Sequence, residues 1–129
     1  MNKQELLNLI NSLRINKEEF VILSSASLVL RDILIKANDL DIAVTKKGLE
    51  ELKQNYQLKQ KENGWYIVTD KIECVLDYME NKKEKIDGYY LQDIHNYLSY
   101  LETSSREKDK LRIPLVTKYI KIYKPSNIK

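Results

Sequence analysis

The stretch from Val21 to Thr45, VILSSASLVLRDILIKANDLDIAVT, restricts the fold of this chain more than any other. A short apolar run ends in two serines, an amphipathic segment follows, and a polar loop leads into a second apolar run carrying Asp39 and Asp41. Side chains alternate across a strand, so an Asp-x-Asp pair on one puts both carboxylates on the same face, roughly 6.5–7 Å apart at Cα. Like charges at that distance are unfavourable unless a cation or a hydrogen-bond network lies between them. The pattern predicts strand, serine turn, helix, loop and strand. Leu40, Ile42 and Val44 then point inward, and Asp39, Asp41 and Ala43 face a cleft.

The flanking sequence extends this unit. Leu6, Leu7, Ile10 and Leu13 fall at helical spacing between Asn2 and Leu13. Phe20 to Leu23 suits a buried strand. Ser24 and Ser25 offer capping hydroxyls to a helix running to about Leu34. Lys46 to Asn55 reads as a short helix, and Tyr56 to Lys61, Trp65 to Thr69 and Lys71 to Tyr78 as three strands. Asn63-Gly64 is the clearest hairpin signal. Asn81 to Gly88 is polar enough for a loop. Helices are expected over Leu91 to Leu101 and from Arg106 towards Tyr123, with a break at Ile113-Pro114 because proline disfavours helix at its predecessor. The sum is one α+β domain of residues 1–129, a mixed sheet flanked by helices, with its core over about 1–80 and a helical part over about 90–123.

With 129 residues, 43% hydrophobic and 32% charged, the chain is long enough to bury a core and has an ordinary globular composition. No apolar run approaches the ~18 residues of a membrane span, and MNKQELLNLINSL lacks the apolar core of a signal peptide. The cytoplasm is the expected location. Cys74 is the single cysteine, which excludes an intrachain disulfide and a cysteine-based zinc cluster. The net charge of +3 is unevenly distributed. Residues 106–129 hold eight Lys/Arg against two acids, whereas residues 1–105 hold fourteen against seventeen. A basic C-terminal segment suits phosphate, of a nucleotide or a nucleic acid, but its simpler reading is a solvated helix face and a frayed tail.

The order of strand, Ser24-Ser25, SLVLRDIL and Asn38-Asp39-Leu40-Asp41-Ile42 resembles the nucleotidyltransferase superfamily, the DNA polymerase beta-like fold, in its small minimal form. That pattern has a Gly-Ser turn opening a helix and Asn-Asp-Ile-Asp-Leu on the next strand, and Ser24 stands at its glycine. The resemblance covers roughly residues 1–80, with an Arg-x-Lys-Asp segment near the C-terminus. It implies that Asp39 and Asp41 bind Mg²⁺ or Mn²⁺ bridging the oxygens of an NTP. It further implies transfer of an NMP to a hydroxyl acceptor that nothing in the sequence selects, with pyrophosphate leaving. Hard cations take carboxylate oxygens, and Mg²⁺ takes one or two from protein and the rest from phosphate and water.

The same resemblance implies a third carboxylate on a neighbouring strand. Glu73 and Asp77 share a face there; Glu73 falls nearer the family's position, and both remain candidate metal ligands. Ser24, Ser25 and Arg31 are the implied nucleotide-binding residues, and Arg106 and Lys108 the implied phosphate contacts. Some of these have a simpler structural role available: Ser25 as a helix cap, and Arg106 to Lys110 as a helix start with mutual ion pairs. His95 stands alone and forms no metal cluster. A catalytically silent module of the same fold, antitoxin-like or binding a protein partner, is the alternative to an enzyme. Minimal members commonly need a second chain, so a dimer is compatible with the pattern.

Overall fold

The computed structural model describes residues 1–77 and 83–123. They form an α+β structure in two compact units, Met1–Gln92 and Asp93–Lys129. The first holds helices α1 (Lys3–Ser12), α2 (Ser24–Leu30) and α3 (Lys46–Asn55). Its strands are β1 (Phe20–Ile22), β2 (Leu40–Val44), β3 (Lys59–Gln60), β4 (Trp65–Thr69), β5 (Ile72–Leu76), β6 (Lys83–Ile86) and β7 (Tyr89–Gln92). The second holds α4 (Ile94–Thr103) and α5 (Glu107–Tyr123).

The seven strands make one mixed sheet in the order β3-β4-β5-β2-β1-β7-β6. Strand β2 runs parallel to β5 and antiparallel to β1, and β1 runs parallel to β7. Period-2 alternation then sorts the side chains. Phe20, Ile22, Leu40, Ile42, Val44, Ile72, Cys74 and Leu91 enter the main core with Leu6 and Ile10 of α1, Val29 and Leu30 of α2, and Leu49 and Leu52 of α3. The opposite face carries Val21 and Ala43, both buried, with Leu23, Val75 and Tyr90 packed against them. The same register puts Asp41 and Glu73 on that face.

Helix α1 starts in a capping box: the Asn2 side chain accepts the Glu5 N–H, and the Glu5 carboxylate accepts the Asn2 N–H, both at 2.9 Å. Thr45 caps α3 by accepting the Gly48 N–H at 3.0 Å. Gly48 is set by space, since a Cβ there would come 2.7 Å from the Glu19 carbonyl oxygen. In the second unit Asp93 caps α4 by accepting the Asn96 N–H at 3.0 Å.

Several elements differ from the sequence expectation. Helix α2 ends at Leu30 rather than near Leu34, because Asp32 takes a left-handed φ of 64° and the Ile33 and Leu34 amides turn back to the Leu28 carbonyl. No serine hydroxyl caps α2; its cap residue is Leu23, which makes no side-chain capping bond. Asp39 lies in a bend just before β2, not on the strand. The strand expected over Tyr56 to Lys61 shrinks to Lys59–Gln60. The expected loop at 81–88 contains β6 and the turn to β7, so Leu91 belongs to a strand and α4 begins at Ile94. Asn81 and Lys82 lie outside the described residues, as do Tyr78 at the end of the expected third strand and the basic tail from Lys124. Helix α5 runs through Pro114 unbroken. Pro114 is exposed, so water can satisfy the carbonyl its missing N–H leaves free.

Candidate functional site

Strand β1 ends at Ile22, and the next residue, Leu23, donates its N–H to the Asp41 carbonyl at 3.0 Å. The serine turn is thereby fastened to the acidic strand at the point where Asp41 projects. Ser24 follows with φ of 50°, in the left-handed region that suits glycine. It is held there from both sides. Its N–H donates to Gln92 Oε1 at 3.1 Å, and its carbonyl accepts the Ser27 hydroxyl at 2.7 Å. A serine occupying glycine's backbone conformation is a strained arrangement of the kind that persists only where its surroundings enforce it. Ser25 is half-buried at the start of α2.

One strand away, Asp41 sits in direct register with Glu73. Parallel neighbours lie about 4.8 Å apart, so the two carboxylates leave adjacent positions on the same face. Asp39 is exposed at the entrance to β2. Asp77 shares the parity of Glu73 but follows β5 at its far end, where its N–H donates to the Val44 carbonyl at 2.9 Å. The fold therefore puts Asp41 and Glu73 side by side, with the serine turn bonded to the Asp41 backbone, while Asp39 lies in the bend before β2 and Asp77 beyond the end of β5.

The donor set fits a hard divalent cation of the kind that takes one or two protein carboxylates and completes its shell with phosphate and water. Among the described residues no three His, Cys, Asp or Glu side chains converge into a three-ligand centre. Cys74, buried on the opposite face of β5, has its thiol pushed up to about 11 by burial and by the charge of Glu73, which makes it inert at neutral pH.

The other expected residues are engaged elsewhere. The Arg31 side chain is fully buried, pairing with Glu84 of β6 and donating to the Gln92 carbonyl at 2.8 Å, and so does not present its guanidinium to solvent. In the second unit Arg106 lies 3.7 Å from Asp109. Asp109 is itself buried and accepts the Ser104 hydroxyl at 2.7 Å and the Tyr100 hydroxyl at 3.3 Å, which ties the start of α5 to α4. Lys108 and His95 are exposed.

Two residues not singled out from sequence belong to the site. Gln92 holds the serine turn, and Lys61 places its ammonium against both Glu73 oxygens, at 3.1 and 3.2 Å. The Asn63-Gly64 turn held the signal for Lys61. It folds Lys61 back across Trp65, onto the face that Ile67 shares with Glu73. Gln92 left no such trace, because its strand is paired to β1 from a distant part of the chain. No model of a known protein family matches this chain, and no curated protein does.

Proposed function

We propose that this chain is a small nucleotidyltransferase-fold protein that binds a divalent cation and an NTP at Asp39, Asp41 and Glu73 and transfers an NMP to a hydroxyl acceptor. The observation that carries the reading is the register of Asp41 with Glu73 beside a serine turn held in glycine's conformation and bonded to Asp41's own carbonyl. Asp41 and Glu73 would hold the cation, with Asp39 at the strand entrance as a further donor. A bound Mg²⁺ supplies charge neutralisation for the triphosphate and for the attacking and leaving oxygens. Ser25, directly after the left-handed turn at Ser24, would offer its hydroxyl to a phosphate oxygen. Glu73 would accept the proton of an attacking hydroxyl. In the balanced reaction the hydroxyl oxygen bonds to the α-phosphorus, the bond to pyrophosphate breaks, and the hydroxyl proton passes to base.

A catalytically silent binding module of the same fold is the second reading, and the Lys61–Glu73 ion pair favours it, because the third carboxylate already has a cation. A thermal-shift titration separates the proposal from a bare fold. A ligand binding only the folded state at a hundredfold excess over Kd adds about 2.7 kcal/mol. The wild type is expected to gain stability with Mg²⁺ or Mn²⁺ and an NTP together, and Asp39→Ala/Asp41→Ala to gain none. A double variant more stable than a wild type that responds to neither ligand would reduce the acidic pair to unrelieved repulsion. Release of pyrophosphate with any hydroxyl acceptor would eliminate the silent module.

A further inference from the structure

We infer, building on the site proposed above, that Lys61 is a built-in counter-ion for Glu73 that competes with the metal and so sets the affinity of the site. Glu73 stands in register with Asp41 on the neighbouring parallel strand, and adjacent carboxylates need positive charge between or beside them. Lys61 supplies such charge to Glu73. Its ammonium straddles Oε1 and Oε2 at 3.1 and 3.2 Å, so it covers both of the oxygens that Glu73 could offer a cation. A divalent ion taking Glu73 as a ligand must displace it.

Lys61 is built to be displaced. The two side chains are each about one-third exposed, at 38% and 34%, so the pair is only partly shielded from solvent. Lys61 follows the two-residue edge strand β3, and the Lys59 to Asn63 segment lines an open groove that gives the ammonium room to swing away. The contrast with Arg31 is informative: that side chain is fully buried in its pair with Glu84, whereas Lys61 keeps solvent contact beside Glu73.

The test measures Mn²⁺ binding by the loss of its free electron paramagnetic resonance signal, so that it needs neither turnover nor an identified acceptor. Lys61→Met keeps the length of the side chain and removes the charge. It is expected to tighten Mn²⁺ binding about two- to fivefold, the range that a partly exposed ion pair supports. Lys61→Arg retains a competing cation and is expected to show no tightening. Lys59→Met removes the same charge from the same face of β3 without touching Glu73, and is expected to leave the dissociation constant unchanged. Equal tightening by Lys59→Met would reduce the effect to general surface charge and overturn the inference. Unchanged or weaker binding by Lys61→Met, with the wild type binding Mn²⁺, would overturn it while leaving the metal site intact. Absence of binding in both wild type and Lys61→Met, with both folded, would overturn the metal site and this role together.

Discussion

At the scale of single residues, Arg31 is the least comfortable side chain of the sheet unit. One guanidinium nitrogen bonds Glu84 and the Gln92 carbonyl, while Nε and the other terminal nitrogen are buried with no partner among the described residues. Cutting one member of such a pair strands the other charge, whereas removing both is far milder. Glu84→Gln is expected to lose about 3 kcal/mol in urea unfolding, the lower end for a buried pair because Glu84 is partly exposed. Arg31→Met in the same background should restore most of it, since it also removes two unsatisfied donors. A loss below about 0.5 kcal/mol in Glu84→Gln, the range of ordinary surface changes, would show that Arg31 draws its compensation elsewhere. The sequence displays Arg31 as a cation near the end of a helix, which is why it suits a nucleotide. Its burial depends on β6, in a segment whose charged composition reads as loop. Strand parity gives Asp41 and Glu73 the face away from the main core, and the family resemblance singles out Glu73; their side-by-side register, like the places of Lys61 and Gln92, depends on which strands are neighbours.

At the scale of elements, local patterning identified what local forces decide. Helix α3 and strand β4 fall at the residues that periodicity and turn chemistry indicate, and β2 over Leu40 to Val44 with its inward face intact. The misses are tertiary overrides. Helix α2 stops where Asp32 turns left-handed and Lys3 of α1 pairs with it at 3.2 Å, a contact no local pattern announces. The β6–β7 hairpin did carry a local signal in Asp87-Gly88, whose φ values of 54° and 87° are those of a two-residue turn with both central residues left-handed. Four charged residues between 82 and 85 masked it, and an edge strand tolerates such charges because one of its sides faces solvent. Gly88→Ala puts a side chain into that left-handed position, where space is open and strain alone acts. It is expected to cost about 1 kcal/mol. A drop in thermal midpoint with Gly88→Ala and a smaller one with Gly88→Asn, which tolerates the conformation better, checks the turn type. Equal effects would assign the loss to something other than backbone strain.

At the scale of the whole molecule, the two compact units divide the chain after Gln92, because the β6–β7 hairpin joins the sheet of the first. No helix among the described residues is long and apolar enough to cross a membrane. The α+β class was readable because strand-type and helix-type patterns alternate irregularly along the chain; the strand order was not, because alternation of side chains says which face a residue takes and nothing of which strand lies beside it.

Interior strand β1 is three residues long and lies between a partner close in sequence, β2, and one far away, β7, which it meets where Ile22 faces Leu91. That seam sets an order of assembly in time. Strands β3, β4 and β5 are joined by short turns and can zip early, while β1 can accept β7 only after most of the intervening chain is in place. Contacts made by β6 and β7 should then be absent from the folding transition state and present only after it. Glu84→Gln is therefore expected to accelerate unfolding in stopped-flow measurements and leave refolding almost untouched. Slowed refolding with unchanged unfolding would place the closure of the sheet inside the nucleus instead. On the expected outcome, the hairpin that anchors the serine turn through Gln92 is the last part of the sheet to arrive and the first to leave, so the site is complete only once the rate-limiting step of folding has passed.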